Sequence, residues 1–104
     1  MILTDAMKNL ITSKINVGLE RSVVLVDVGG RKDISDNEYN WNLYCIDDNE
    51  RVVWQVSGVP SKHNRDSFVA IYLEGNVLKA DRFFGGEYKI NIDDGVAEET
   101  GWHK

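Results

Sequence analysis

The chain has 104 residues, 42% hydrophobic and 28% charged, which is enough for one core and too few for two. Acidic residues outnumber basic ones 17 to 12, for a formal net charge of −5, and this disfavours a nucleic-acid ligand, which needs a concentrated positive face. No apolar run approaches the roughly 20 residues that span a bilayer, the lone Cys45 has no partner for an internal disulfide, and Met1 to Asp5 lacks a basic n-region ahead of an apolar stretch. A soluble, cytoplasmic, single domain over 1–104 is the expectation.

In chain order, Leu3, Ala6, Met7, Leu10 and Ile11 recur at helical steps, with Asp5, Lys8, Asn9 and Thr12 between them. Thr4 is a suitable N-cap and Asp5 suits the positive end of the helix dipole, so a short amphipathic helix is predicted from Thr4 to about Lys14. The period then drops to two. Ile15, Val17 and Leu19 alternate with Asn16, Gly18 and Glu20, and Ser22 to Val28 is rich in β-branched residues. Gly29-Gly30 ends that run, and Arg31 to Glu38 reads as a polar loop.

From Tyr39 onward the pattern is one of hairpins. A four-residue turn at Asp47-Asp48-Asn49-Glu50 sets Cys45 opposite Val52, Leu43 opposite Trp54 and Trp41 opposite Val56, with both Trp assigned to the core. Phe68 to Leu73 is apolar on both faces, which predicts a central strand covered on both sides. Gly75-Asn76 predicts a two-residue turn pairing Leu73 with Leu78 and Ile71 with Ala80. A three-residue Phe84-Gly85-Gly86 loop pairs Ala80 with Ile90, Leu78 with Ile92 and Asp81 with Lys89, which keeps charge out of the apolar face. Asp93-Asp94-Gly95 to Glu98-Glu99 reads as acidic and turn-like, with Trp102 docking back onto the sheet. The predicted class is α+β, mostly β: a short N-terminal helix packed on a curved antiparallel meander sheet, or a partly closed barrel, of about seven strands.

Familiar chemistries find little support. Cys45 is predicted inward, where a thiol behaves as a small hydrophobe. A dyad with His63 would need that loop histidine to turn inward, and one Cys with two distant His makes no zinc set. The acidic runs lack calcium-loop spacing and read as hairpin turns. Gly29-Gly30-Arg31-Lys32 lacks the spacing and following helix of a phosphate loop. No catalytic residue, metal or cofactor is expected. The loop Ser57 to Ser67, holding Pro60, Lys62, His63, Asn64, Arg65 and Asp66, is long for a hairpin connection, and such loops often carry function.

Asn42-Leu43-Tyr44-Cys45-Ile46-Asp47, Val52-Val53-Trp54-Gln55, Phe68-Val69-Ala70-Ile71-Tyr72-Leu73 and Leu78-Lys79-Ala80 make short, acidic, aromatic-rich hairpins. In this style the chain resembles the immunity proteins of contact-dependent inhibition and related polymorphic toxin systems of bacteria. The resemblance implies a cytoplasmic protein that neutralises a cognate toxin by one-to-one contact, often over the working surface of a nuclease.

The expected function is therefore binding of a basic toxin domain, with no membrane and no nucleic acid as partner. Expected contacts are Asp33, Asp36 and Glu38 in one loop, Asp47, Asp48 and Glu50 in a turn, and Tyr44 and Tyr72 on outer strand faces. The alternatives are a carrier of a small apolar ligand inside a barrel-like pocket and an enzyme using His63 with Asp66.

Overall fold

The computed structural model describes residues 2–102, the Trp102 side chain excepted; the anchoring expected of Trp102 and the place of His103 lie outside the described residues. Thr4 caps the first helix as predicted, its Oγ1 accepting from Met7 N at 3.1 Å. That helix, α1 (Asp5–Lys8), ends well before Lys14. From Ile11 the chain is extended as β1 (Ile11–Gly18), antiparallel to β2 (Arg21–Val26). The β-branched Ile11, Thr12, Ile15 and Val17 suit a pleated surface, and pairing with β2 overrides the helical period. Leu3, Met7, Leu10 and Ile11 still converge on one apolar cluster.

The expected loop 31–38 contains the start of a second helix. Ser35 Oγ accepts from Glu38 N at 3.1 Å and opens α2 (Asp36–Asn40), an S-x-x-E capping pattern that the polar composition masks. Next come β3 (Leu43–Asp47) and β4 (Val52–Gln55), completing a four-stranded sheet of order β1-β2-β3-β4.

The β3–β4 register differs from expectation. Tyr44 faces Gln55 and Cys45 faces Trp54, then a bulge sets Ile46 opposite Val52. Asp47 N donates to Arg51 O, so the turn proper is Asp48 to Glu50, and Glu50 sits at φ 63°. The bulge absorbs the odd residue. Trp54 thus stays on the face of Leu43 and Cys45, while Val52 joins the opposite one.

The rest of the chain makes a second, five-stranded sheet in place of a continued meander or barrel. Its strands are β5 (Ser57–Gly58), β6 (Phe68–Glu74), β7 (Val77–Arg82), β8 (Gly86–Ile90) and β9 (Val96–Trp102), in the order β5-β9-β8-β7-β6. Neighbours are antiparallel except β5 with β9. Side chains of both sheets, among them Val23, Leu43, Cys45, Trp54, Phe68, Leu78 and Ile90, share one core. A second cluster, including Leu3, Val24, Val26, Tyr44 and Ile46 with Met7 and Tyr39, lies on the other side of the first sheet.

β6 is an edge strand and not a central one, with Val69 50% and Leu73 47% exposed. The Gly75-Asn76 turn has its predicted register. The β7–β8 loop is three residues long, but it is Phe83-Phe84-Gly85, so Leu78 faces Ile90, Ala80 faces Tyr88 and Asp81 faces Glu87. A two-residue slip leaves each side chain on its face. It also sets Gly86 beside the Tyr88 ring, where an added Cβ would lie 2.9 Å from the ring edge. Lys79 then pairs with Glu74 and Glu87, at 3.4 and 3.7 Å. Asp93-Asp94-Gly95 is the expected turn, but 96–102 is a strand.

Asn42 ties the two sheets together. Its Nδ2 donates to Val26 O at 2.8 Å and Phe68 O at 2.9 Å, and its Oδ1 accepts from Phe68 N at 2.8 Å, all out of water. Asn42→Leu would fill a similar volume but leave three buried backbone groups unpartnered. The expected loss is about 3 kcal/mol or more, read as a lower urea midpoint at unchanged slope; a loss under about 1 kcal/mol would deny Asn42 this role.

Candidate functional site

The long loop flagged in the sequence is a strap over one end of the second sheet. Its first residues are pressed against β9. Gly58 has φ 147°, and a Cβ there would lie 2.6 Å from Ala97 O, so only glycine permits this approach. Two residues later Pro60 has no N–H to give to a ladder, and the strap leaves the sheet. Ser61 Oγ donates to Asp66 Oδ2 at 2.6 Å and accepts from His63 N at 3.2 Å. The other oxygen of Asp66 accepts from Phe84 N at 3.0 Å, so one buried carboxylate staples the strap to the β7–β8 loop.

The far end of the strap is held by α2 and the segment before it. Arg65 Nε donates to Asp36 at 2.9 Å, while Nη1 and Nη2 donate to Arg31 O and Ile34 O at 2.8 and 2.6 Å. Its guanidinium also lies 4.6 Å from the Tyr39 ring centroid. Between these two attachments, Val59 to His63 bows outward and encloses a groove of about 680 Å³. The floor is Gly86, Tyr88 and Ala97, Phe84 stands at one end, and the open lip is Val96, Glu98 and Glu99. The His63 ring stacks on Phe84 with centroids 4.1 Å apart.

Arg82 lies below the floor, 1% exposed. Its guanidinium is 4.3 to 5.2 Å from the ring centroids of Phe68, Trp41 and Tyr88, and Nη1 donates to Asp66 O. Nε and Nη2 have no hydrogen-bond partner among the described residues. Burial pulls its pKa below the usual arginine value, against the pull of Tyr88 and Asp66. Burial likewise pushes the Tyr88 hydroxyl up, with the Arg82 charge opposing and Glu99 adding to the rise.

The Ser61 hydroxyl and both Asp66 oxygens are committed to structural bonds. Cys45 is fully buried between the sheets, its thiol pushed up by burial, while His63 is exposed on the strap. Among the described residues no three His, Cys, Asp or Glu side chains are grouped to hold a metal.

The sequence-predicted contact residues do not assemble. Asp33 is paired with Arg31 at 2.7 Å and Asp36 with Arg65, while Glu38 is exposed in the first turn of α2. Asp47, Asp48 and Glu50 lie at the opposite end of β3, and Glu50 reaches Lys8 at 3.0 Å. Tyr44 is corrected outright: at 2% exposure it belongs to the second apolar cluster, because β3 is covered on both faces. Tyr72 is on β6, its hydroxyl 3.3 Å from Asp81 and pushed up to about 12 by desolvation and the carboxylates of Asp81, Glu87 and Glu74. None of the eight lines the groove, whereas Lys62, His63 and Asp66 of the flagged loop do. Phe84, Tyr88, Glu98 and Glu99 were missed, since their approach to the strap depends on the β5–β9 pairing.

Fold and site together define a two-sheet β protein with a strap-walled groove. The chain belongs to the family described as domain of unknown function DUF7957, whose model matches residues 8–102. No curated protein and no solved structure matched. No helix among the described residues is long and apolar enough to cross a membrane.

Asp47 makes a pH prediction. Arg51 N and Asn49 N both donate to its Oδ1 at 2.9 Å and hold the carboxyl below its usual value, the Arg51 bond most strongly. A depressed folded-state pKa adds stability above the unfolded value of about 4, and the gain disappears as pH falls through the lower folded value. Asp47→Asn should therefore lower the denaturation midpoint at neutral pH, and the gap from the parent should close as pH falls through the lower folded value. A gap persisting in acid would show that the charge is not what stabilises the turn.

Proposed function

We propose that this protein binds and neutralises a basic toxin domain, of nuclease type, by direct protein–protein contact, and that the strap-walled groove is the main contact site. The supporting observation is the composition of the groove. It joins an aromatic and aliphatic interior, formed by Val59, Phe84, Tyr88 and Ala97, to a carboxylate lip at Glu98 and Glu99. An apolar centre with a polar rim is the usual anatomy of a protein interface. The net charge of −5 favours fast encounter with a surface built to hold phosphates. The likeness to immunity proteins supplies the setting, a cytoplasmic inhibitor bound one-to-one. In this scheme Asp33, Asp36 and the acidic residues of the β3–β4 turn steer the partner without anchoring it, because Arg31, Arg65, Lys8 and backbone amides already engage most of them.

Groove size favours a second function. A volume of about 680 Å³ falls within the range of small-ligand sites, so a carrier of an apolar molecule would use the same walls.

Val59 separates these from a passive surface. It is 80% exposed, so Val59→Asp should fold with an unchanged midpoint. If the product of the adjoining reading frame arrests growth, the parent should relieve the arrest and Val59→Asp should bind that product about tenfold more weakly. Failure of the parent to relieve any such arrest would remove the toxin, and full relief by Val59→Asp would remove the groove. Thermal stabilisation by an apolar ligand, with no protein bound, would favour the carrier.

A further inference from the structure

The outer edge of β9 is only partly occupied. β5 lies parallel to it over Val96 and Ala97, and there Pro60 turns the strap away. Beyond Ala97, β9 has β8 on one side and, among the described residues, no strand on the other. A row of unpaired peptide groups is a template for another strand. Here the groove runs beside that row, with Glu98 and Glu99 on its lip.

We propose that this edge receives an extended basic segment of the protein partner by β-strand addition, continuing the line that β5 begins. The proposal rests on the protein-binding function above and names the kind of segment bound. Three features select it. The faces alternate: Tyr88 opposite Glu99 and Ile90 opposite Ala97 share the inner side of the sheet, whereas Glu98 points away from it. Side chains of an added strand would thus alternate between the Val59–Phe84–Tyr88 interior and the outer face beside Glu98. Charge chooses the sign. Glu98 and Glu99 attract Lys or Arg, and they would meet their own counterparts if a second copy of this chain paired antiparallel, which is unfavourable for like charges facing each other. Lys62 on the strap wall orients the segment, with its cations toward β9. Finally, Thr100 is an extra residue in the β8–β9 ladder, and its hydroxyl donates to Glu87 O at 3.3 Å. Such a bulge sharpens the twist, so the added strand is short, about four residues.

The test uses the whole chain and three synthetic decapeptides: one alternating Lys and Val, one alternating Glu and Val, and the Lys–Val peptide N-methylated throughout. Backbone amide exchange and ¹⁵N shifts are followed. The Lys–Val peptide should slow exchange at Glu99, whose amide is turned away from β8, by about tenfold, and the N-methylated peptide should not, since it has no donor for the edge. The Glu–Val peptide should bind about tenfold more weakly, and Glu98→Lys with Glu99→Lys should reverse that order. Protection centred on another edge, equal protection by the N-methylated peptide, or no preference for the basic one would overturn the proposal. If Val59→Asp loses the toxin while no peptide protects β9, strand addition fails and the groove function stands. If the Lys–Val peptide protects β9 while Val59→Asp still relieves growth arrest, the strand acceptor stands and the toxin-binding function fails.

Discussion

Asn40 and Asn42 present side-chain amides where a neighbouring strand would present peptide groups. Asn40 donates to Asn64 O at 3.0 Å and accepts from Asp66 N at 2.7 Å. Two residues on, Asn42 accepts from Phe68 N and donates to Phe68 O. The alternate residues 40 and 42 thus read the alternate residues 64, 66 and 68. Buried peptide groups must find partners, and without these amides the passage from first sheet to second would have to run through solvent. With them, Asp66 and Ser67 can lie at 3% and 5% exposure although no strand flanks them. The path of the strap follows. It is fixed at 64–68 by two asparagines and at Gly58 by contact with Ala97, and what lies between must bow out.

Arg82 converts that path into a shaped surface. A buried guanidinium is costly, and here three aromatic faces, one backbone carbonyl and the nearby Asp66 offset part of the cost. The same contacts fix the parts of the groove: Tyr88 as floor and Asp66 as the root of the strap wall. Glycine then supplies the clearance. Gly86 leaves room for the Tyr88 ring, and Gly95, at φ 77°, sits where a Cβ would lie 2.4 Å from the Trp54 indole. That indole donates from Nε1 to Ile92 O at 2.8 Å, a second tie between the sheets just past the end of β8. The groove is therefore framed by buried groups, and its exposed members are supported from beneath.

Local chemistry was legible in the sequence and long-range pairing was not. The Thr4 cap, the Gly75-Asn76 turn and the inward set Leu43, Cys45, Trp54, Leu78, Ala80 and Ile90 follow from alternation and turn composition, which act over a few residues. The failures share one cause. Ile11 to Lys14 reads as helical until β2 is beside it, and β6 reads as central because its apolar face count cannot reveal that it ends a sheet. The β3–β4 pairing slips because a bulge adds a residue that alternation does not announce. For the site, composition singled out the Ser57–Ser67 loop and so found His63 and Asp66. It also singled out Tyr44, whose strand is covered on both faces, since its outer face packs in one cluster with Leu3, Met7 and Tyr39. The S-x-x-E at 35–38 and the Asn-x-Asn at 40–42 were both present, and each carries a mechanism.

The distribution of acidic groups separates two roles for charge. The carboxylates of Asp33, Asp36, Asp47 and Glu50 are engaged within the molecule by Arg31, Arg65, turn amides and Lys8, so their outward effect is a diffuse field that salt screens within about 8 Å at physiological strength. Glu98 and Glu99 differ in position. They flank an unpaired backbone edge, where charge protects a strand from its own kind by repulsion. A negative edge repels negative strands, however, and attracts positive ones. The same two side chains that would repel a second copy of this edge thus define the sign of what can be accepted. The strap completes the selection, because β5 pairs with β9 for two residues and Pro60 then ends the row, leaving an opening beside an apolar floor.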